Sequence, residues 1–101
     1  MKFLMFAMYD AAKTADVAAA SDKISSTPGL EILGGYVCMG IPFPGFPENT
    51  LLTVSVVEVE SSEAMATAAY PLALAGATVW HVPVLEVATG GGGEAEKKYR
   101  G

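Results

Sequence analysis

Residues Lys2 to Tyr9 read Lys-Phe-Leu-Met-Phe-Ala-Met-Tyr, a run that is apolar on both sides if it is extended. Side chains alternate along a strand with period two. Phe3, Met5, Ala7 and Tyr9 therefore share one face, and Leu4, Phe6 and Met8 the other. The run stops at Asp10, far short of a membrane span, so it reads as a strand that needs a cover on each face. Whatever fold the chain adopts must supply both covers.

Beyond Tyr9 the chain alternates between helix-like and strand-like stretches. Asp10 and Thr14 are candidate N-caps for a helix running to about Ser25, with Val17, Ala20, Ser21 and Ile24 as its inner stripe. Thr27-Pro28-Gly29 turns the chain into a second strand, Leu30 to Gly40, whose Gly34-Gly35 pair marks a bulge or a close backbone approach. A third strand spans Leu51 to Glu60. Leu52, Val54 and Val56 form one of its faces; Thr53, Ser55, Val57 and Val59 form the other, smaller and more polar in its first half. Ser61-Ser62-Glu63 opens a second helix with Met65, Ala68, Ala69 and Leu72 inward, kinked or interrupted at Pro71 and closed by Gly76. The fourth strand, Ala77 to Val87, contains Pro83 and so belongs at a sheet edge.

Between the second and third strands, Ile41 to Asn49 carries three prolines and two phenylalanines. Two readings stand: a rigid connection whose rings fold back on the core or a second subunit, or a lid over a ligand cavity. Residues 90–101 form a glycine spacer and a charged tail. In it Glu94–Lys98 and Glu96–Arg100 have helical spacing, and Tyr99 is available to pack on a neighbour.

Strand, helix, strand, strand, helix, strand is the order of an α+β, ferredoxin-like βαββαβ domain over residues 1–89. Right-handed crossovers make it a four-stranded antiparallel sheet with two helices on one face. Helices then cover one side only, while the strands are apolar on both. A bare apolar sheet face exceeds what a lone subunit tolerates, and a twofold copy is the commonest remedy. At about 25 cal/mol per Å², hiding several hundred Å² per subunit contributes several kcal/mol before the costs of association. The expectation is a homodimer of sheets, with higher homo-oligomers open.

Charge narrows the partners. Net charge is −5, and residues 1–89 hold three lysines against nine acids, a net of −6. Such a body has no footprint for nucleic acid or an anionic membrane. Met1-Lys2 before an apolar run has the outline of a signal peptide. However, Asp10 and Lys13 interrupt it and 17–20 is helix-like, so cytoplasm is the expected setting. The lone thiol, Cys38, cannot form an internal disulfide.

Pro28-Gly29-Leu30 leading into the second strand, Val59-Glu60-Ser61-Ser62-Glu63-Ala64 joining the third strand to the second helix, and Val82-Pro83-Val84-Leu85-Glu86 in the last strand carry a resemblance. On these joints residues 1–89 resemble the dimeric α/β-barrel superfamily of ferredoxin-like proteins, and within it a group of short, uncharacterised bacterial domains. The 41–49 loop and the tail depart from those short members. The resemblance implies sheets paired into a dimeric barrel. Its characterised members include cofactor-independent and haem-degrading monooxygenases, muconolactone-isomerase-like enzymes and ligand-sensing domains, and fold alone does not choose among them.

Few residues offer chemistry. His81 is the only histidine; with Tyr9 and Asp10 on the neighbouring first strand it would make a base, a phenol and a carboxylate suited to proton abstraction. Ahead of that stands the plainer reading of His81, lying with Val79, Pro83 and Leu85, as a half-buried, hydrogen-bonded strand residue. Candidate ligand-binding residues are Trp80, Tyr36, Cys38, Glu58, Phe43 and Phe46. A cavity between helices and sheet would be lined by Trp80, Phe6 and Met65 under the Pro/Phe loop, provided that the alanine-rich helices stand off the sheet. One histidine and one cysteine give no recognisable metal set, no glycine motif precedes a helix as in phosphate binding, and no cofactor is expected. Two functions fit these residues: a homodimer binding an apolar or aromatic small molecule, with cofactor-free oxygenase or isomerase chemistry open, or a non-enzymatic assembly protein docking through its loop and tail. The residues alone do not decide whether the protein is an enzyme.

Overall fold

A computed structural model describes residues 1–101. β1 (Lys2–Asp10) is followed by a 3₁₀ turn at Ala11–Lys13, α1 (Thr14–Ser21) and a second 3₁₀ turn at Ile24–Ser26. Then come β2 (Leu30–Val37), β3 (Thr50–Val59), α2 (Ser62–Leu74), β4 (Thr78–Pro83) and α3 (Gly92–Arg100). The sheet order is β2-β3-β1-β4, with every pair antiparallel. This is the α+β, ferredoxin-like arrangement expected from the element order.

Register sorts the strands into two faces. Met5 stands between Ser55 and His81, and Ala7 between Thr53 and Val79, on the face that the helices cover. Met5, Ala7, Tyr9, Val57 and Val59 from the sheet pack with Val17, Ala20 and Ile24 from the first helical segment and with Ala64, Ala68 and Leu72 from α2. Of the stripes read from helical spacing, Val17, Ala20, Ile24, Ala68 and Leu72 are buried, whereas Ser21 is exposed, Met65 and Ala69 are half-buried, and Ala64 joins the core in their stead. The opposite face carries Leu4, Phe6, Met8, Val54, Val56, Trp80 and Val82, and no helix lies over it. Only Leu52 is fully buried there, next to where Cys38 N–H donates to its carbonyl.

Local chemistry explains the boundaries. Asp10 caps the first 3₁₀ turn through Ala12 N–H (2.8 Å), and Thr14 Oγ1 donates to the Ala11 carbonyl. The first helix is thus shorter than expected and breaks at Ser21. Leu33 is the extra residue of a bulge between Ile32 and Gly34, the irregularity that the paired glycines imply. Ser61 Oγ accepts from Ala64 N–H, capping α2, and the helix runs through Pro71 to Leu74 without breaking. At its far end Gly76, with φ +105°, lets Ala77 N–H reach the Leu72 carbonyl and its own N–H reach that of Ala73, a Schellman closure. β4 stops at Pro83, not Val87, because β1 begins at Lys2 and offers nothing further to pair with after Val84 N–H donates to the Lys2 carbonyl.

The radius of gyration is 15.2 Å and the extents are 45 × 35 × 19 Å. A compact chain of this length would have a radius near about 13 Å. The smallest extent is that of one helix layer on one sheet, and α3 buries no residue. No helix is long and apolar enough to cross a membrane.

Candidate functional site

α1 is eight residues long and half alanine, and it borders a part of the sheet that is itself built of small side chains. Ala18 and Ser21 on the helix face Gly35, Thr53 and Ser55 on β2 and β3, and none of the five is large enough to fill the space between. An open cleft of about 360 Å³ results, floored by buried Met5, Ala7 and Tyr9 of β1 and walled by Val17, Ile24 and Leu72, with exposed Thr14, Ala18, Ser21 and Val37 on its outer side. Cleft and core are therefore one layer: the helix-covered face is packed near α2 and hollow near α1.

The lining is apolar with a scatter of hydroxyls, from Tyr9, Thr14, Ser21, Thr53 and Ser55. Thr14 is committed to Ala11, and Thr53 Oγ1 donates at 3.5 Å to the Ala7 carbonyl. Tyr9, Ser21 and Ser55 make no side-chain hydrogen bond within the chain. Burial raises the Tyr9 pKa above its ordinary value, so it remains a neutral phenol. No carboxylate, amine, imidazole or guanidinium lines the cleft.

The structure does not bring His81, Tyr9 and Asp10 together. His81 and Tyr9 do share the helix-covered face, but His81 pairs with Met5, four residues and about 13 Å along β1 from Tyr9. Asp10 is exposed and spent on its cap. Burial lowers the His81 pKa, and its Nε2 is buried with no hydrogen-bond partner.

The expected ligand-binding residues are also dispersed. Trp80 stacks on Phe6, centroids 5.1 Å apart, on the uncovered face; with Met65 beneath the helices, these rings cannot line one cavity. Tyr36 borders the cleft, although its pairing with Val54 assigns its ring to the uncovered face. Glu58 also belongs to that face and pairs with the N-terminal ammonium at 2.9 Å. Cys38 is a half-buried free thiol at the end of β2. Phe43 and Phe46 pack edge-to-face on each other at 5.1 Å, and neither lines the cleft, so the loop is no lid over it. The three aromatic–proline bonds are trans. No three His, Cys, Asp or Glu side chains stand close enough to hold a metal ion.

The residues that sequence reasoning missed are Ser55, Thr53, Ser21, Thr14 and Gly35. Their signal was smallness on an inward face: Thr53 and Ser55 interrupt the otherwise aliphatic inner side of β3, directly opposite alanine-rich α1.

No family model matches the chain, and neither does any curated protein. Among solved structures, the C-terminal domain of the MgtC protein from Mycobacterium tuberculosis aligns with a TM-score of 0.62 at 8% identity, over 80% of this chain and 84% of that one. A DUF3240-family protein from Shewanella baltica OS155 aligns with a TM-score of 0.50 at 13% identity, over 86% and 93%. At such identities the likeness is one of fold, and both neighbours are small α/β domains that the present chain matches over most of their length.

Proposed function

We propose that the protein is a small-molecule-binding domain that works as a twofold pair, each subunit holding one apolar ligand in the cleft beneath α1. The observation that carries this reading is the cleft itself. It has the volume of a small-ligand site, apolar walls, and a few hydroxyls left over to orient what enters. Its lining supports binding over proton abstraction, because the one imidazole lies elsewhere on the sheet. Oxygenase or isomerase chemistry through His81 is accordingly the weaker half of the expectation.

Pairing is supported by the apolar face of the sheet, over which the subunit lays no helix, and by a body only 19 Å thick. Membership of the dimeric α/β-barrel superfamily belongs to the same reading, since its members close such faces against each other. A cytoplasmic setting fits the free Cys38 thiol.

Native mass spectrometry with a panel of small aromatics tests both parts. One ligand per subunit should be retained by the dimer. Ser55→Leu, which fills the cleft, should abolish retention and leave the dimer mass unchanged. Retention that survives Ser55→Leu places binding elsewhere and ends this reading.

A further inference from the structure

Resting on that reading, we infer that the cleft is built for an uncharged ligand presenting a hydrogen-bond acceptor such as a carbonyl oxygen, and that it rejects carboxylates of the same shape. An ion seated on the buried floor of the cleft, against Met5, Ala7 and Tyr9, needs a counter-charge or several dedicated donors, and this lining offers no cation. A net charge of −5 on the chain adds repulsion for any anion approaching. A pure hydrocarbon would fill the space but leave the hydroxyl of buried Tyr9 facing it without a partner, and a polar group shut off from water is costly to leave unpaired. An acceptor oxygen on an otherwise apolar ring system satisfies both constraints. Tyr9 is the donor of choice: its ring is anchored in the core, its phenol stays protonated, and no group of the chain competes for its hydrogen.

The test uses three probes of one shape: indane, 1-indanone and indane-1-carboxylate. Titrations of the full chain are followed by NMR shifts of the Met5 and Val17 methyl groups in the cleft. 1-Indanone should bind about fivefold tighter than indane, the weight of one net hydrogen bond. The carboxylate should bind at least about tenfold more weakly than the ketone, on the scale expected for an unpaired buried charge. Tyr9→Phe keeps the ring and should erase the ketone's advantage, with indane affinity unchanged. A carboxylate that binds as well as the ketone overturns the inference, and so does a ketone preference that persists in Tyr9→Phe; in either case the cleft remains a binding site. If none of the three perturbs the Met5 and Val17 methyls, the cleft binds nothing of this size and the parent reading goes with it.

Discussion

Phe6 on β1 and Trp80 on β4 stand opposite each other in register on the uncovered sheet face, their rings 5.1 Å apart and within 8° of parallel. They are the largest part of an apolar surface that continues through Leu4, Met8, Val54, Val56 and Val82. If a second copy covers that surface, Trp80 on edge strand β4 is buried in it beside Phe6, and a charge there cannot be accommodated. Trp80→Glu should therefore sediment as a single subunit at concentrations where the parent chain is a dimer, with the same far-UV circular dichroism. A variant that stays dimeric removes this face as the interface.

Trp80 is also the only tryptophan, which permits a check without mutation. Its emission should shift to the red on serial dilution, in step with the sedimentation profile, as the face becomes wet. Emission independent of concentration while the mass changes would mean that the chains meet elsewhere.

His81 should make the fold sensitive to acid. Its Nε2 is buried without a partner, and burial lowers its pKa below the ordinary 6.5, so the folded chain resists a proton that the unfolded chain accepts. Linkage sets the sign: between the two pKa values the unfolded state binds more protons, so stability falls as pH falls. Loss begins as pH drops through the unfolded value and is complete below the folded one. His81→Leu should remove this component, seen as a smaller drop in urea midpoint from neutral to mildly acidic pH. Equal drops in both proteins would show that imidazole burial is not what titrates.

Gly76 should be hard to replace. Its φ of +105° closes α2, and a Cβ there would stand 2.9 Å from Lys13 Cδ. Lysine's flexible end can swing aside, so the backbone conformation dominates the cost, at about 1–2 kcal/mol for Gly76→Ala. Gly40→Ala is the control, since nothing stands within 4 Å of its Cβ, and it should change stability by no more than about 0.5 kcal/mol. Chemical denaturation of the two variants distinguishes them. Equal costs would mean that the helix closure is not what Gly76 provides.

The elements of this fold were legible because each is specified locally: alternation in Lys2–Tyr9, the Ser61 cap, the Pro83 edge, the Gly34-Gly35 bulge. Each survived into the structure within a few residues. The site was not legible for a different physical reason. Parity sorts Tyr9 and His81 within their own strands, but both the face they share and their distance along it depend on the register of β1 against β4. Trp80 and Phe6 were drawn to a cavity by their size, when the side of the sheet on which they lie is decided by that same register. A hollow, moreover, is announced by residues that are too small, and small residues carry little signal one at a time. Ala18, Ser21, Gly35 and Ser55 become one candidate lining only because the fold sets parts of α1, β2 and β3 around the same cleft.

α3 provides the last test, since it makes up most of residues 90–101. It has nine residues, a glycine N-cap with no side-chain bond, and no buried side chain. Its ion pairs, Glu94–Lys97 at 3.7 Å and Glu96–Arg100 at 2.8 Å, are exposed. A helix of this length is marginal by itself, and surface pairs add little. Cutting the chain after Thr89 should therefore leave the unfolding free energy within about 0.5 kcal/mol of the full protein. The assembly is the more informative readout. Tyr99 is 61% exposed, and the tail carries three basic residues beside a body with a net charge of −6. If the truncated chain sediments as the same dimer, the tail is an appendage and the sheet face alone holds the pair. A smaller assembly after truncation would assign the contact to Tyr99 and its basic neighbours and favour a docking role for this protein over a binding one.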